Sequence, residues 1–248
     1  MQVSVSATPI LCYGETTTVT IEAVGGTSPY QGTGTRVEYA GSYTYTVTDR
    51  RGCTETVPLS VSEPEQLQAF TTTEDALCYG MYGSTIIDIM GGTVPYNVTW
   101  QDGSTGTQND HVSVDVPFAY TVIDNNGCHI SGTVTASQPE MLAVSLTGNN
   151  ITCSGMADGS ISTTVAGGTP TYTYLWSNGS LLPAAEWLAP GTYRVTVTDS
   201  HACTAESSTT ITEPHQLSVS LYPTDVQCGY MLGSVSARIS GGTASYSH

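Results

Sequence analysis

The chain repeats itself, and a repeat constrains the fold of every unit at once. A Cys-containing, Gly-rich segment recurs as Leu11-Cys12-Tyr13-Gly14, Leu77-Cys78-Tyr79-Gly80, Thr152-Cys153-Ser154-Gly155 and Gln227-Cys228-Gly229, at steps of 66, 75 and 75 residues. A second cysteine closes a turn at Asp49-Arg50-Arg51-Gly52-Cys53, Asp124-Asn125-Asn126-Gly127-Cys128 and Asp199-Ser200-His201-Ala202-Cys203, at steps of 75. Between these landmarks lie four Gly-Gly-Thr triplets, at Gly25, Gly91, Gly167 and Gly241. Glu63-Pro64, Gln138-Pro139 and Glu213-Pro214 close the units. The boundaries that follow are 1–64, 65–139 and 140–214, with a truncated fourth unit over 215–248. The first unit has only 20 positions from Pro29 to Asp49 where the second has 29 from Pro95 to Asp124, a loss of nine that removes the segment carrying Trp100 in the second and Trp176 in the third. It is expected to lack a strand or hairpin there and to be the least stable of the three.

Within a unit the pattern is that of strands. Tyr43-Thr44-Tyr45-Thr46-Val47-Thr48 and Tyr193-Arg194-Val195-Thr196-Val197-Thr198 alternate apolar with polar residues, as a strand buried on one face must. In the third unit, strands are expected near 142–147, 160–166, 171–176, 181–187, 192–198 and 204–211. Turn residues every eight to twelve positions and no helical period point to an all-β fold, a tandem array of immunoglobulin-like antiparallel β-sandwiches. Trp100 and Trp176 read as the aromatic filling between two sheets. Trp187 has no counterpart in the second unit. Packing in the core or a loop is its first reading, and an exposed platform for stacking sugar rings is the alternative.

Charge narrows the partners. With 21 acidic residues against five basic ones, all Arg, the net charge is -16, which argues against nucleic acid or an anionic membrane surface. No apolar run of membrane-spanning length and no signal peptide is evident, so the chain reads as a segment from within a longer protein. Seven cysteines without Cys-x-x-Cys spacing suggest disulfides and an oxidising compartment. Two pairings are open. Within units, Cys12 joins Cys53, Cys78 joins Cys128 and Cys153 joins Cys203, leaving Cys228 unpaired. Across units, Cys53 joins Cys78, Cys128 joins Cys153 and Cys203 joins Cys228, leaving Cys12 single. Four strands counted between the two cysteines of a unit would return the chain to the same pole and favour the first pairing.

Nothing recurs as catalytic residues should. Five scattered histidines lack ligand spacing for zinc, and no Gly-x-Ser-x-Gly elbow occurs, so an enzyme is not expected. The recurring acids Asp49, Asp124 and Asp199 suit side chains that cap their own turns. Their alternative role is in a calcium site, helped by Glu63, Glu140 and Glu213 at the unit junctions. Two functions of different class remain, a structural and adhesive stalk and a carbohydrate-binding module array with Trp187 as a stacking group.

The ordered set Cys153, Asp158-Gly159-Ser160, Gly167-Gly168-Thr169-Pro170, Tyr172 to Gly179, Leu188 to Tyr193, Val195 to Asp199, Cys203 and Glu213-Pro214 resembles the SprB repeat. The stretch from Trp176 to Asp199 also resembles polycystic-kidney-disease-type (PKD-like) domains. The SprB resemblance implies a bacterial cell-surface adhesin of Bacteroidetes, exported by the type IX system and associated with gliding motility. It implies neither catalytic residues nor a fixed ligand site. Its partners would be an extracellular surface or polysaccharide and neighbouring repeats of one long chain.

Overall fold

Alternating sequence becomes alternating burial in a computed structural model, which describes residues 1–225, 229 and 232–247. The strands are β1 (Gln2–Ala7), β2 (Thr17–Val24), β3 (Gly34–Glu38), β4 (Gly41–Thr48), β5 (Thr54–Val61), β6 (Gln68–Glu74), β7 (Gly83–Met90), β8 (Asn97–Trp100), β9 (Gln108–Val112), β10 (Phe118–Ile123) and β11 (His129–Val134). They continue with β12 (Ala143–Asn149), β13 (Gly159–Ala166), β14 (Thr173–Trp176), β15 (Ala184–Leu188), β16 (Gly191–Thr198), β17 (Thr204–Ile211), β18 (Ser218–Thr224) and β19 (Ser234–Ser240). Each full set forms two antiparallel sheets: β6-β7-β9 with β8-β10-β11, and β12-β13-β15 with β14-β16-β17. That is an immunoglobulin-like sandwich. The first set is β1-β2-β3 with β4-β5, and the fourth segment contributes the pair β18-β19.

Two compact units emerge. One comprises Met1–Ala76 with Tyr82–Ser137, the other Leu77–Met81 with the chain from Gln138 onward. Among the described residues, three apolar cores lie within them. Trp176 fills the space between sheets against Ile161, Val195, Val197 and Ile211, and Trp100 does so against Phe118, Tyr120 and Val122. Each indole is 2% exposed and donates its N–H to a loop carbonyl, Trp176 to Leu182 at 2.9 Å and Trp100 to Gly106 at 2.8 Å. The core around Val19 and Ile21 has no tryptophan and gathers five buried residues, against ten around Trp100 and eight around Trp176. The strand missing there is the counterpart of β8 and β14, reduced to one bridge between Gln31 and Thr48.

Strand direction carries the main departure from expectation. In the third set Leu188 pairs with Gly159 and Ala184 with Ser162, so β15 ends at the pole where β13 begins. Thr173 pairs with Thr198 and Trp176 with Val195, so β14 starts at the opposite pole and stops halfway along β16. The tight turn closed by Trp176 N–H to Ser180 O at 2.9 Å then carries the chain sideways into the other sheet without reversing it. Thus β14 and β15 are two halves of one passage. Between Cys153 and Cys203 the chain makes three passages rather than four, and the two cysteines lie at opposite poles.

Candidate functional site

Both poles are built by short-range chemistry that recurs from set to set. At the upper pole Asp124 Oδ1 accepts the backbone N–H groups of Asn126 and Cys128, each at 2.9 Å, and Oδ2 accepts that of Thr93 at 2.9 Å. Asp49 holds Arg51, Cys53 and Thr27 in the same way at 2.9, 2.9 and 3.1 Å. Asp199 holds His201, Cys203 and Thr169 at 2.9, 2.9 and 2.8 Å. Glycine is needed beside the carboxylate because a Cβ on Gly92 or Gly168 would come 2.9 Å from its Oδ2, and both positions have positive φ. The Gly-Gly-Thr and Asp landmarks are therefore two halves of one corner. A tyrosine hydroxyl locks the corner: Tyr96 donates to Gly91 O at 2.6 Å and Tyr172 to Gly167 O at 2.8 Å.

This geometry makes the aspartates turn caps. Three N–H donors converge on each carboxylate, the opposite of the oxygen-rich shell that calcium requires. Among the described residues no group of three or more His, Cys, Asp or Glu side chains is placed to hold a metal ion. The junction acids are engaged similarly, Glu63 accepting Gly14 N–H at 2.6 Å and Glu213 accepting Gly155 N–H at 2.7 Å. At the third such place Gln138, a neutral amide, accepts Gly80 N–H at 2.7 Å, so the position needs an acceptor rather than a charge. The residues do not fit a calcium site.

The backbone donors hold the carboxyls of Asp49 and Asp199 below the ordinary range, with Cys53 N–H the foremost cause for Asp49 and Thr169 N–H for Asp199. A carboxyl depressed by folding stabilises the fold above its unfolded value of about 3.9, and that contribution is lost as pH falls through the folded value. Melting temperature is thus expected to fall below about pH 4. Asp199→Asn flattens this acid limb and lowers the melting temperature at pH 7, because its amide NH2 opposes a backbone N–H. Scanning calorimetry across pH checks both.

The cysteines differ from both sequence-based pairings. Cys12 is bonded to Cys128 and Cys78 to Cys203, while Cys53 and Cys153 are exposed thiols. Cys12–Cys53, Cys78–Cys128 and Cys153–Cys203 do not form because three passages separate the poles. Cys53–Cys78 and Cys128–Cys153 do not form because each bond instead joins the Gly-rich-segment cysteine of one sequence repeat to the Asp-turn cysteine of the next. Cys228 lies outside the described residues. Around Cys12–Cys128, Asn126 Nδ2 donates to Leu11 O at 3.0 Å, and a cleft of about 540 Å³ is lined by Tyr13, Gln66, Leu67 and Ile130.

Trp187 is 79% exposed, contrary to the packing expected of it, and its φ is 58°. It borders a cleft of about 410 Å³ with Asn178, Leu182 and Glu186. The register gives its counterparts: Leu188, Val112 and Glu38 pair with the first residues of β13, β7 and β2, so the residues before them, Trp187, His111 and Val37, are equivalent. Tryptophan does not recur there: His111 lies against Tyr82 with ring centroids 5.4 Å apart, and Val37 is aliphatic.

No curated protein sequence matches this chain. Among solved structures it is similar to the N-terminal eight Ig domains of Down Syndrome Cell Adhesion Molecule isoform 1.30.30, with 14% identity and a TM-score of 0.39. That match covers 84% of this chain and 36% of the other, so the chain spans about a third of it. It is also similar to the N-terminal four Ig domains of Dscam1 isoform 9.44, with 13% identity and a TM-score of 0.29, covering 85% and 72% of the two chains. The SprB repeat family model matches residues 145–181, which run from β12 to the turn beyond Trp176.

Proposed function

We propose that this chain is a segment of a bacterial cell-surface adhesin, a disulfide-linked stalk that holds its bearer's binding groups away from the cell and mediates surface attachment or gliding. The observation that carries this reading is that the two disulfides link cysteines of successive sequence repeats, where they limit stretch. With both bonds intact the shortest covalent route from Cys12 to Cys203 runs through the segment between Cys78 and Cys128, about 50 residues and about 175 Å at full extension. Without them it is about 190 residues and about 670 Å. A tether under shear gains from that limit. The net charge of -16 and the absence of lysine fit a filament whose copies repel one another. Its partners are an extracellular surface or polysaccharide, met by many weak contacts that gain by avidity.

Pulling single molecules from both ends tests the stalk. The oxidised chain is expected to reach the short limit and the reduced chain the long one; equal contour lengths contradict the reading. Antibody labelling of intact source cells tests location, and labelling only after permeabilisation would refute it. Exposed Trp187 favours the sugar-binding alternative at one place only.

A further inference from the structure

Cys53 and Cys153 occupy positions whose equivalents are bonded elsewhere in the chain. Cys53 N–H is held by Asp49 Oδ1 at 2.9 Å, as Cys128 and Cys203 are held by Asp124 and Asp199. Cys153 begins the same turn as Cys12 and Cys78, its carbonyl accepting Met156 N–H at 3.1 Å where those accept Glu15 at 3.2 Å and Met81 at 3.1 Å. The surroundings match as well. Cys153 borders a cleft of about 410 Å³ with Gln216 and Leu217, as Cys12 borders its cleft with Gln66 and Leu67. The difference is that Gly127, Cys128 and His129 of an Asp turn line the Cys12 cleft, and no Asp turn lines the other.

We infer that Cys53 and Cys153 are open rungs of the same ladder, each forming a disulfide with a further repeat of this kind. Cys53 takes the Gly-rich-segment cysteine of a preceding repeat, and Cys153 takes the Asp-turn cysteine of a following one. The inference rests on the stalk reading in requiring flanking repeats. Bond formation removes one hydrogen from each of two thiols. The two protons and two electrons pass to a disulfide oxidant, a thiol–disulfide oxidoreductase in its oxidised form, which is left as a dithiol. Each repeat is then covalently joined to both neighbours, and the short limit on stretch extends along the array.

The test completes the fourth repeat with the chain's own residues. Residues 1–243 are followed by a second copy of residues 170–214, which restores an Asp turn with its cysteine after Gly242-Thr243. After oxidative folding, alkylation of remaining thiols and non-reducing peptide mapping, Cys153 is expected joined to the grafted cysteine, with Cys53 and Cys228 alkylated. Cys153→Ser should leave the grafted cysteine alkylated. Cys153 alkylated or joined to Cys228, while Cys12–Cys128 and Cys78–Cys203 form normally, overturns the inference and leaves the stalk standing. Failure of those two bonds themselves overturns the stalk reading and the inference together.

Discussion

Trp176→Ala is expected to unfold the third sandwich. The indole is 2% exposed, touches both sheets and satisfies the Leu182 carbonyl, so truncation leaves a cavity and an unpaired acceptor. Losses of this kind cost about 3–5 kcal/mol. A domain of this size has only about 4–11 kcal/mol in total. Hydrogen exchange followed by mass spectrometry should show β16 and β17 losing protection while β4 and β5 keep theirs. Trp187→Ala, at an exposed position, should change stability by less than about 0.5 kcal/mol. Equal effects of the two substitutions would contradict the assignment of inner and outer tryptophan.

Cys128→Ser should destabilise the first compact unit, and Cys53→Ser should not. The bond from Cys12 closes a loop with a sequence separation of 116 residues, which on chain-entropy grounds restricts the unfolded chain by about 5 kcal/mol. Cys53 is a thiol on an exposed turn, and its Oγ replacement leaves the Asp49 contacts intact. Denaturant unfolding of the two variants separates these cases. A cost at Cys53 equal to that at Cys128 would mean that Cys53 is the true partner of Cys12.

Much of the fold is legible in the residues because burial on one face demands alternation. β16 and β17 fall where Tyr193 to Thr198 and the following Thr-rich run place them. The inward placement of Trp100 and Trp176 follows from their equivalent places at the ends of short strands in two successive repeats, where each joins its sandwich core. What alternation does not contain is direction. Two strands separated by a tight turn read as a reversal, yet the turn after Trp176 moves the chain between sheets, and this reverses the parity on which disulfide pairing depends. The same limit explains Trp187. Period two places it inward with Ala185, but a register shift between Gly159 and Ile161 and a left-handed φ at Trp187 turn two successive residues, Glu186 and Trp187, outward and return Leu188 to the core. The aspartate corners were visible as recurring landmarks. Their linkage to Gly-Gly-Thr was not, since it depends on a close approach across the fold.

The most direct measurement is non-reducing peptide mapping of the oxidised chain after alkylation. Pepsin is the suitable protease because Lys and Arg total five. The structure predicts Cys12 joined to Cys128 and Cys78 joined to Cys203, with Cys53 and Cys153 alkylated. Cys12 joined to Cys53, or Cys53 joined to Cys78, would contradict the ladder between successive repeats and return each sandwich or its nearest junction to a closed staple.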